Sequence, residues 1–280
     1  MIKKFFSIIG VFALVCFSFY YTSLATTIIK NNDPIMKQII KVSENYKEQP
    51  INAILVNNNI TPGISGLEVD VDRSYESMKK YGSFNENLMV FKSLTPSVSV
   101  SNIYDKYITG GNEKNQVVSL VITVEDYSYI ENIIDILDSK EVKATFFVST
   151  DIVEDSPDIV KLINDSYHQV ELKSDDYNID SLKKSKKTIK DITEKDIGFC
   201  YSEEENLTIL TNCNNKKLYT IIPSIKTSNF PYSDVKNELK SGSIISLNNN
   251  THTLRELKYI INYINQKGYK IVTLEELIRE

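Results

Sequence analysis

From Gln116 to Glu280 short apolar runs alternate with amphipathic stretches, and this alternation narrows the possible folds more than any other feature. "VVSLVIT" reads as a strand, and "SYIENIIDILDSK" as a helix with Ile130, Ile133, Ile134 and Leu137 on one side. "VKATFFVS" is the next strand. Ser156 as N-cap and Pro157 at N1 open the helix "SPDIVKLIND". "HQVEL" and "IGFCY" read as strands, followed by the helices "IDSLKKSKKTIKDI" and "EEENLTILTN". "LYTIIPS" and "SGSIISL" flank the helix "SDVKNEL". "TLRELKYIINYINQKG" is strongly amphipathic, with Leu254, Leu257, Ile261 and Ile264 inward and Gly268 at C′; "YKIVTL" and "EELIRE" follow. Apolar strands joined by helices imply a parallel sheet buried on both faces. About seven such units predict an irregular (β/α) barrel rather than an open sheet. Ligands of such a fold sit at the carboxyl ends of the strands, which puts Glu125 and Asp126 on the functional rim.

The amino terminus obeys a different logic. Lys3 and Lys4 precede an uncharged, mostly apolar run from Phe5 to Ala25. That length can span a bilayer. Ser23-Leu24-Ala25 also fits a small-residue cleavage site. Tyr20 and Tyr21 suit the interfacial belt and favour an uncleaved anchor, with Lys3 and Lys4 inside. Residues 1–25 are therefore expected to be a membrane anchor or signal peptide. The expected location is the cell membrane, with a single span through residues 5–25 and the bulk of the chain extracytoplasmic. The alternative is secretion after cleavage near Ala25. Cys16 follows Val15, a poor residue before a lipidated cysteine, and reads as an apolar residue of the anchor. Without residues 1–25 the formal charge moves from −5 to −7, because only Lys3 and Lys4 are lost. An acidic ectodomain argues against nucleic acid as a partner. Hydrophobic residues make up 41% of the chain, enough for a core that needs no disulfide framework. Whether Cys200 and Cys213 pair stays open at this stage.

Residues 26–112 read as a stalk helix and a small α+β module. Asp33 and Pro34 start a helix, Ile35, Ile39, Val42 and Tyr46 follow its spacing, and Pro50 stops it. "INAILV" reads as a strand, "TPGISG" as a turn, "DVDRSYESMKKYG" as a short helix with Asp70 or Asp72 near its start and Gly82 at C′, and "NLMVFKSL" as a second strand. Glu68, Asp70 and Asp72 do not make a calcium loop. Counted from Asp70, Tyr75 falls where the loop needs Gly and Tyr81 where it needs Glu, so capping acids are the better reading. "ITGGNEKNQ" reads as a linker, and residues 113–280 as the second domain.

"VKATFFV" at 142–148, and "SGSIISLNNN" followed by "THTLRELKYIINYINQKGYKIVTLEEL", resemble the polysaccharide deacetylases of the NodB-homology type. The resemblance covers roughly residues 116–280 and implies their irregular (β/α) barrel. It also implies a hydrolase that removes acetyl groups from N-acetylglucosamine in peptidoglycan or chitin. Such enzymes use a divalent metal such as zinc, held by one Asp and two His, to activate water, with an Asp as base and a His as acid.

Residue by residue, the pattern is degraded. Thr123-Val124-Glu125-Asp126-Tyr127 stands where the family has Thr-Phe-Asp-Asp-Gly. Asp126 retains the metal-binding position. Glu125 occupies the base position with one extra methylene, and Tyr127 replaces a glycine. The two metal-binding His positions hold Lys173 and Tyr177. Lys173 beside Asp126 would substitute for the metal's charge, which predicts an Asp126–Lys173 ion pair. His168 reads as a hydrogen-bonded packing residue. Cys200, with Tyr201 and Ser202 after it, stands where an Arg-Pro-Pro stretch is expected, and a thiol cannot replace a guanidinium fork. The acids Glu203 to Glu205 beside it make a buried, inert cysteine the expectation. Lys226 replaces an Asp, and Leu247-Asn248 replaces Leu-His, so the general-acid position is Asn248. The only two histidines, His168 and His252, match none of these positions. Asp175 and Asp176 read as loop acids rather than as ligands of a hard cation.

No catalytic set, no metal site and no cofactor is therefore expected. The expected ligand groove is Glu125, Asp126, Tyr127, Lys173, Tyr177, Cys200, Tyr201 and Asn248, with Tyr127, Tyr177 and Tyr201 on its rim. The expected function is an exported, membrane-anchored deacetylase-like protein that acts on or binds cell-wall glycan and is catalytically inactive. Its partners would be peptidoglycan or a related glycan and, as a further possibility, a cell-envelope protein. The alternatives are an active N-acetylglucosamine deacetylase with a rearranged site, or a structural scaffold of the cell or spore envelope.

Overall fold

A computed structural model describes residues 2–280. Met1 and the side chains of Lys3 and Lys4, expected on the inner side of the anchor, lie outside the described residues. In chain order the elements are α1 (Ile2–Asn32), α2 (Pro34–Ser43), β1 (Ile54–Val56), β2 (Asn59–Thr61), β3 (Gly66–Val69), α3 (Val71–Lys79), β4 (Phe91–Leu94) and β5 (Tyr107–Ile108). The alternating region follows with β6 (Val117–Val124), α4 (Ile130–Ser139), β7 (Thr145–Ser149), α5 (Thr150–Asp155), α6 (Pro157–Asp165), β8 (Gln169–Lys173), α7 (Ile179–Thr193) and β9 (Phe199–Tyr201). It ends with α8 (Leu207–Asn214), β10 (Tyr219–Ile221), β11 (Ile225–Lys226), α9 (Pro231–Glu238), β12 (Ile244–Asn248), α10 (Thr251–Gln266), β13 (Lys270–Val272) and α11 (Leu274–Leu277).

These elements form two compact units. The smaller comprises the chain up to Pro50 together with Ser65–Leu94. Within it, Phe12–Asn32 of α1 is 21 residues long with mean hydropathy 1.6 and is wholly unburied, long and apolar enough to cross a membrane. Asp33 caps α2 by accepting from the Ile35 backbone N–H (2.9 Å), and its other oxygen accepts from the Tyr75 hydroxyl (2.9 Å). Met36 and Ile39 of α2 pack on Val69, Tyr75 and Met78. Asp70 caps α3 through the Arg73 N–H (3.0 Å). Glu68 and Asp72 are ion-paired with Lys92 (2.9 Å) and Lys30 (2.7 Å), which accounts for the acids without calcium. Strand β3, in a stretch read as turn and capping acids, pairs antiparallel with β4.

The larger unit joins Ile51–Ile64 to Thr95–Glu280. This differs from the expected boundary after residue 112. "INAILV" does not stay with the small module: β1 and β2 form a hairpin, β2 pairs with β5, and β5 pairs with β10 of the alternating region. The expected linker is also packed. Gly111 N–H donates to Gly242 O (2.8 Å), and Asn112 is buried with its amide on Pro62 O (3.0 Å). Gly242 has φ +81°, and a Cβ there would lie 2.3 Å from Gly111 O, so only glycine permits this approach.

The main sheet runs β11-β12-β6-β7-β8, all parallel, with β13 also on β6. Every β6 residue after Val117 is buried, which is why the strand reads as a continuous apolar run. Helix α10 buries Leu257, Ile260, Ile261 and Ile264, with Leu254 half-buried, and Gly268 (φ +81°) turns the chain at its end. The second sheet runs β1-β2-β5-β10-β9. Strands β8 and β9 end the two sheet paths and share no ladder among the described residues. Side chains close this seam. The Glu171 carboxylate on β8 accepts from Gly198 N–H (2.8 Å) and Phe199 N–H (3.0 Å). The Tyr177 hydroxyl donates to Leu172 O (2.9 Å) and accepts from Tyr201 N–H (2.7 Å). The result is the irregular, mixed α/β barrel anticipated above.

Candidate functional site

The register of the main sheet brings its carboxyl ends to one edge. Asn248 lies beside Thr123, Val124 beside Val148, Ser149 beside Lys173, and Lys226 beside Ser246. Lys173 is the last residue of β8, and its ammonium is paired with the Glu125 carboxylate just beyond β6. The expected Asp126–Lys173 pair is not formed. Asp126 instead folds onto its own loop, accepting from Ser128 N–H (2.8 Å), while the Asn249 amide donates to Asp126 O (2.7 Å). The longer Glu125 side chain spans the distance to β8, and the shorter Asp126 makes an Asx turn.

Tyr201 lies under this ion pair. Its ring centroid is 5.7 Å from Lys173 Nζ, a cation–π arrangement, and its hydroxyl shares a hydrogen bond with Ser246 Oγ (2.9 Å). Burial, with a further push from the Glu203 and Glu125 carboxylates, raises this phenol to about 12 against the opposing Ser246 hydrogen bond. Asn248 is exposed on the edge, with its side-chain oxygen accepting from Thr123 Oγ1 (2.9 Å). Tyr127 is 64% exposed.

Two expected groove residues are elsewhere. Tyr177 is fully buried at positive φ (52°), and its hydroxyl is committed to the β8–β9 seam. Burial holds that hydroxyl far above the usual phenol range. It is a core residue, so the expected rim of three tyrosines reduces to Tyr127 and a largely buried Tyr201. Cys200 is buried and bonded to Cys213, which ties β9 to α8 and removes both a free thiol and a groove surface at that position. His168 is buried, with Nδ1 accepting from Ala144 N–H (3.3 Å); burial lowers it to about 4, so it packs as a neutral imidazole.

Residues missed in the sequence are Glu171 and Asn249, both buried at the strand ends and seam. The signal for Glu171 was an acid inside the apolar "HQVEL"; nothing in sequence marked Asn249 apart from its neighbour Asn248.

The donor set does not suit a divalent metal. The two histidine positions hold an ammonium already paired with a carboxylate and a phenol already hydrogen-bonded in the core. Asp126 is turned to its own backbone. Among the described residues no group of three or more His, Cys, Asp or Glu could hold a metal ion.

A mixed α/β barrel, parallel in its main sheet and with this arrangement at its carboxyl edge, defines the fold class as deacetylase-like. Residues 111–198 match the polysaccharide deacetylase family, which supports the resemblance to a degenerate NodB-homology protein. It is similar to protein YlxY of Bacillus subtilis (strain 168), with 26% identity over 91% of this chain and 86% of that protein. It is also similar to a CE4 family pseudoenzyme from Bacillus anthracis, with 25% identity and a TM-score of 0.69 over 89% of this chain and 96% of that one. A peptidoglycan N-acetylglucosamine deacetylase shares the fold at 21% identity and a TM-score of 0.56, covering 61% of this chain and 92% of its own.

Proposed function

We propose that this chain is a catalytically inactive deacetylase-fold protein that is anchored in the cell membrane and binds cell-wall glycan, peptidoglycan or a relative of it, outside the cell. The observation that carries the inactive reading is the Lys173–Glu125 pair. It puts a fixed cation in a metal-ligand position and engages the carboxylate at the base position, so neither an activated water nor a free base is available. Asn248 cannot act as a general acid, because an amide does not exchange a proton near neutral pH. The apolar α1 supports the anchor, and the likeness to a pseudoenzyme of the same fold supports the loss of activity.

The test is acetate release from peptidoglycan by the purified full chain in detergent micelles, supplied with zinc, cobalt or manganese. No release above a Glu125→Ala, Asp126→Ala double variant is expected, together with co-sedimentation of the chain with insoluble peptidoglycan. Metal-dependent release would reject inactivity; failure to co-sediment would reject glycan binding.

A further inference from the structure

Strand β1 has the sequence of an interior strand but lies at the edge of a sheet. It ends the path β1-β2-β5-β10-β9, with β2 on one side and no strand on the other. Ile54, Leu55 and Val56 are 56%, 46% and 58% exposed, so both faces of the strand are wet. Apolar residues on both faces are the pattern of a strand covered on both. Exposed edges are normally blunted by a charge. Strand β4 carries Lys92 and β11 carries Lys226, whereas no residue from Gln49 to Leu67 is charged.

The backbone is equally open. The register Ile54↔Thr61, Leu55↔Ile60, Val56↔Asn59 closes the hairpin over two residues, Asn57 and Asn58. In such a hairpin the pair next to the turn exchanges both hydrogen bonds, and the following pair exchanges none. Leu55 N–H and C=O therefore point away from β2. So does Ala53 N–H, which donates to Val98 O (2.8 Å). Among the described residues, no hydrogen bond from outside the hairpin reaches the Leu55 backbone.

We propose that two copies of the chain pair at this edge, β1 against β1, antiparallel about a two-fold axis at Leu55. The two Leu55 residues exchange N–H···O=C bonds, and Ile54 of each copy faces Val56 of the other. Self-pairing about a two-fold sets any charge in the strand close to its like, and this strand has none. The ladder stops at Ala53, where the exposed Val98 meets the second copy's turn. A ladder of three residues is about 10 Å long. It falls well short of the roughly 1,200 Å² that a stable free complex buries. That shortfall favours a second copy over a freely diffusing partner, because copies held in one bilayer by α1 meet at about millimolar effective concentration. This affinity argument alone rests on the anchored reading above.

The experiment uses the full chain with Cys16→Ser and one added cysteine, reconstituted in phosphatidylcholine–phosphatidylglycerol vesicles and oxidised with copper phenanthroline. Leu55→Cys is expected to give a disulfide-linked dimer, since opposed Cα atoms of a bonded antiparallel pair lie about 5.5 Å apart, within disulfide reach. Ser93→Cys, on the charged strand β4, should stay unlinked over the same time. Adding Ile54→Lys and Val56→Lys to the Leu55→Cys chain opposes like charges and should lower the linked fraction about tenfold, with the melting temperature little changed. No link at Leu55 leaves the edge to the strand of a different protein, or to water, and overturns the pairing. A link that survives the two lysines reports random collision and overturns it equally. Failure of the chain to float with the vesicles overturns the anchor instead. The pairing is then read on the same chain in solution, where no link at about 1 mM overturns it.

Discussion

Tyr177 shows how one residue can leave a site without leaving the fold. Its hydroxyl fills two vacancies in the backbone bonding of the seam, at Leu172 O and Tyr201 N–H. Removing that oxygen leaves a buried N–H without a partner. Tyr177→Phe should therefore cost about 1–3 kcal/mol, read as a lower urea midpoint, with membrane association unaffected. A variant as stable as the wild type would mean that the seam does not depend on this contact. The loss of ligand chemistry at this position was legible from the residue type alone. Its burial was not, because the left-handed backbone at Tyr177 is a conformation that no local pattern announces for a tyrosine. The same holds for Lys173. Its charge was evident in the sequence, but its choice of Glu125 over Asp126 depends on loop geometry that turns Asp126 onto Ser128.

At the scale of elements, the β8–β9 seam is where the barrel relies on side chains. Glu171 is wholly buried there, and burial pushes it up to about 7, against hydrogen bonds from Gln169, Phe199 and Gly198 that favour its charged form; the Glu275 charge adds a smaller upward push. A carboxyl whose folded pKa is raised binds its proton more tightly in the folded state. Its contribution to stability is fully present below the unfolded value of 4.5 and is lost as pH rises through about 7. His168 titrates in the opposite sense, so the informative quantity is a difference. The melting temperature of the wild type minus that of Glu171→Gln should fall as pH rises from about 4.5 to about 7 and then level off. A difference independent of pH would show that Glu171 stays ionised throughout.

The Cys200–Cys213 disulfide, with a sequence separation of 13, joins β9 to α8 next to the same seam. A loop of that size is worth about 3 kcal/mol. Thermal unfolding with and without reductant should show that loss, and a Cys200→Ala, Cys213→Ala double variant should melt low in both conditions.

On the scale of the whole molecule, the chain is two units interleaved in sequence. Residues 51–64 leave the small unit to add two strands to the large one, and the chain then returns for β3, α3 and β4. Helix α1 belongs to the small unit and carries the apolar segment Phe12–Asn32. The full chain should therefore pellet with membranes and resist alkaline carbonate extraction, whereas a chain beginning at residue 33 should be soluble. Release of the full chain into the culture medium would mean that the segment is cleaved as a signal.

Most elements of the alternating region, the barrel class, the apolar amino-terminal helix and the absence of the metal-binding histidines were readable from the sequence, whereas β3, β5, α5 and the β1–β2 hairpin were not. Each of the former depends on local periodicity, composition or residue type, which the chain carries without reference to distant parts. The unit boundary, the disulfide, the burial of Tyr177, the Glu171 clasp and the Lys173–Glu125 pair were decided only by the tertiary structure. Each joins groups far apart in sequence, and β2–β5 pairing or a carboxylate meeting an N–H from the next sheet has no local signature. The departures from the family's motif are visible one residue at a time, and the arrangement they make depends on which of those residues the fold brings into contact.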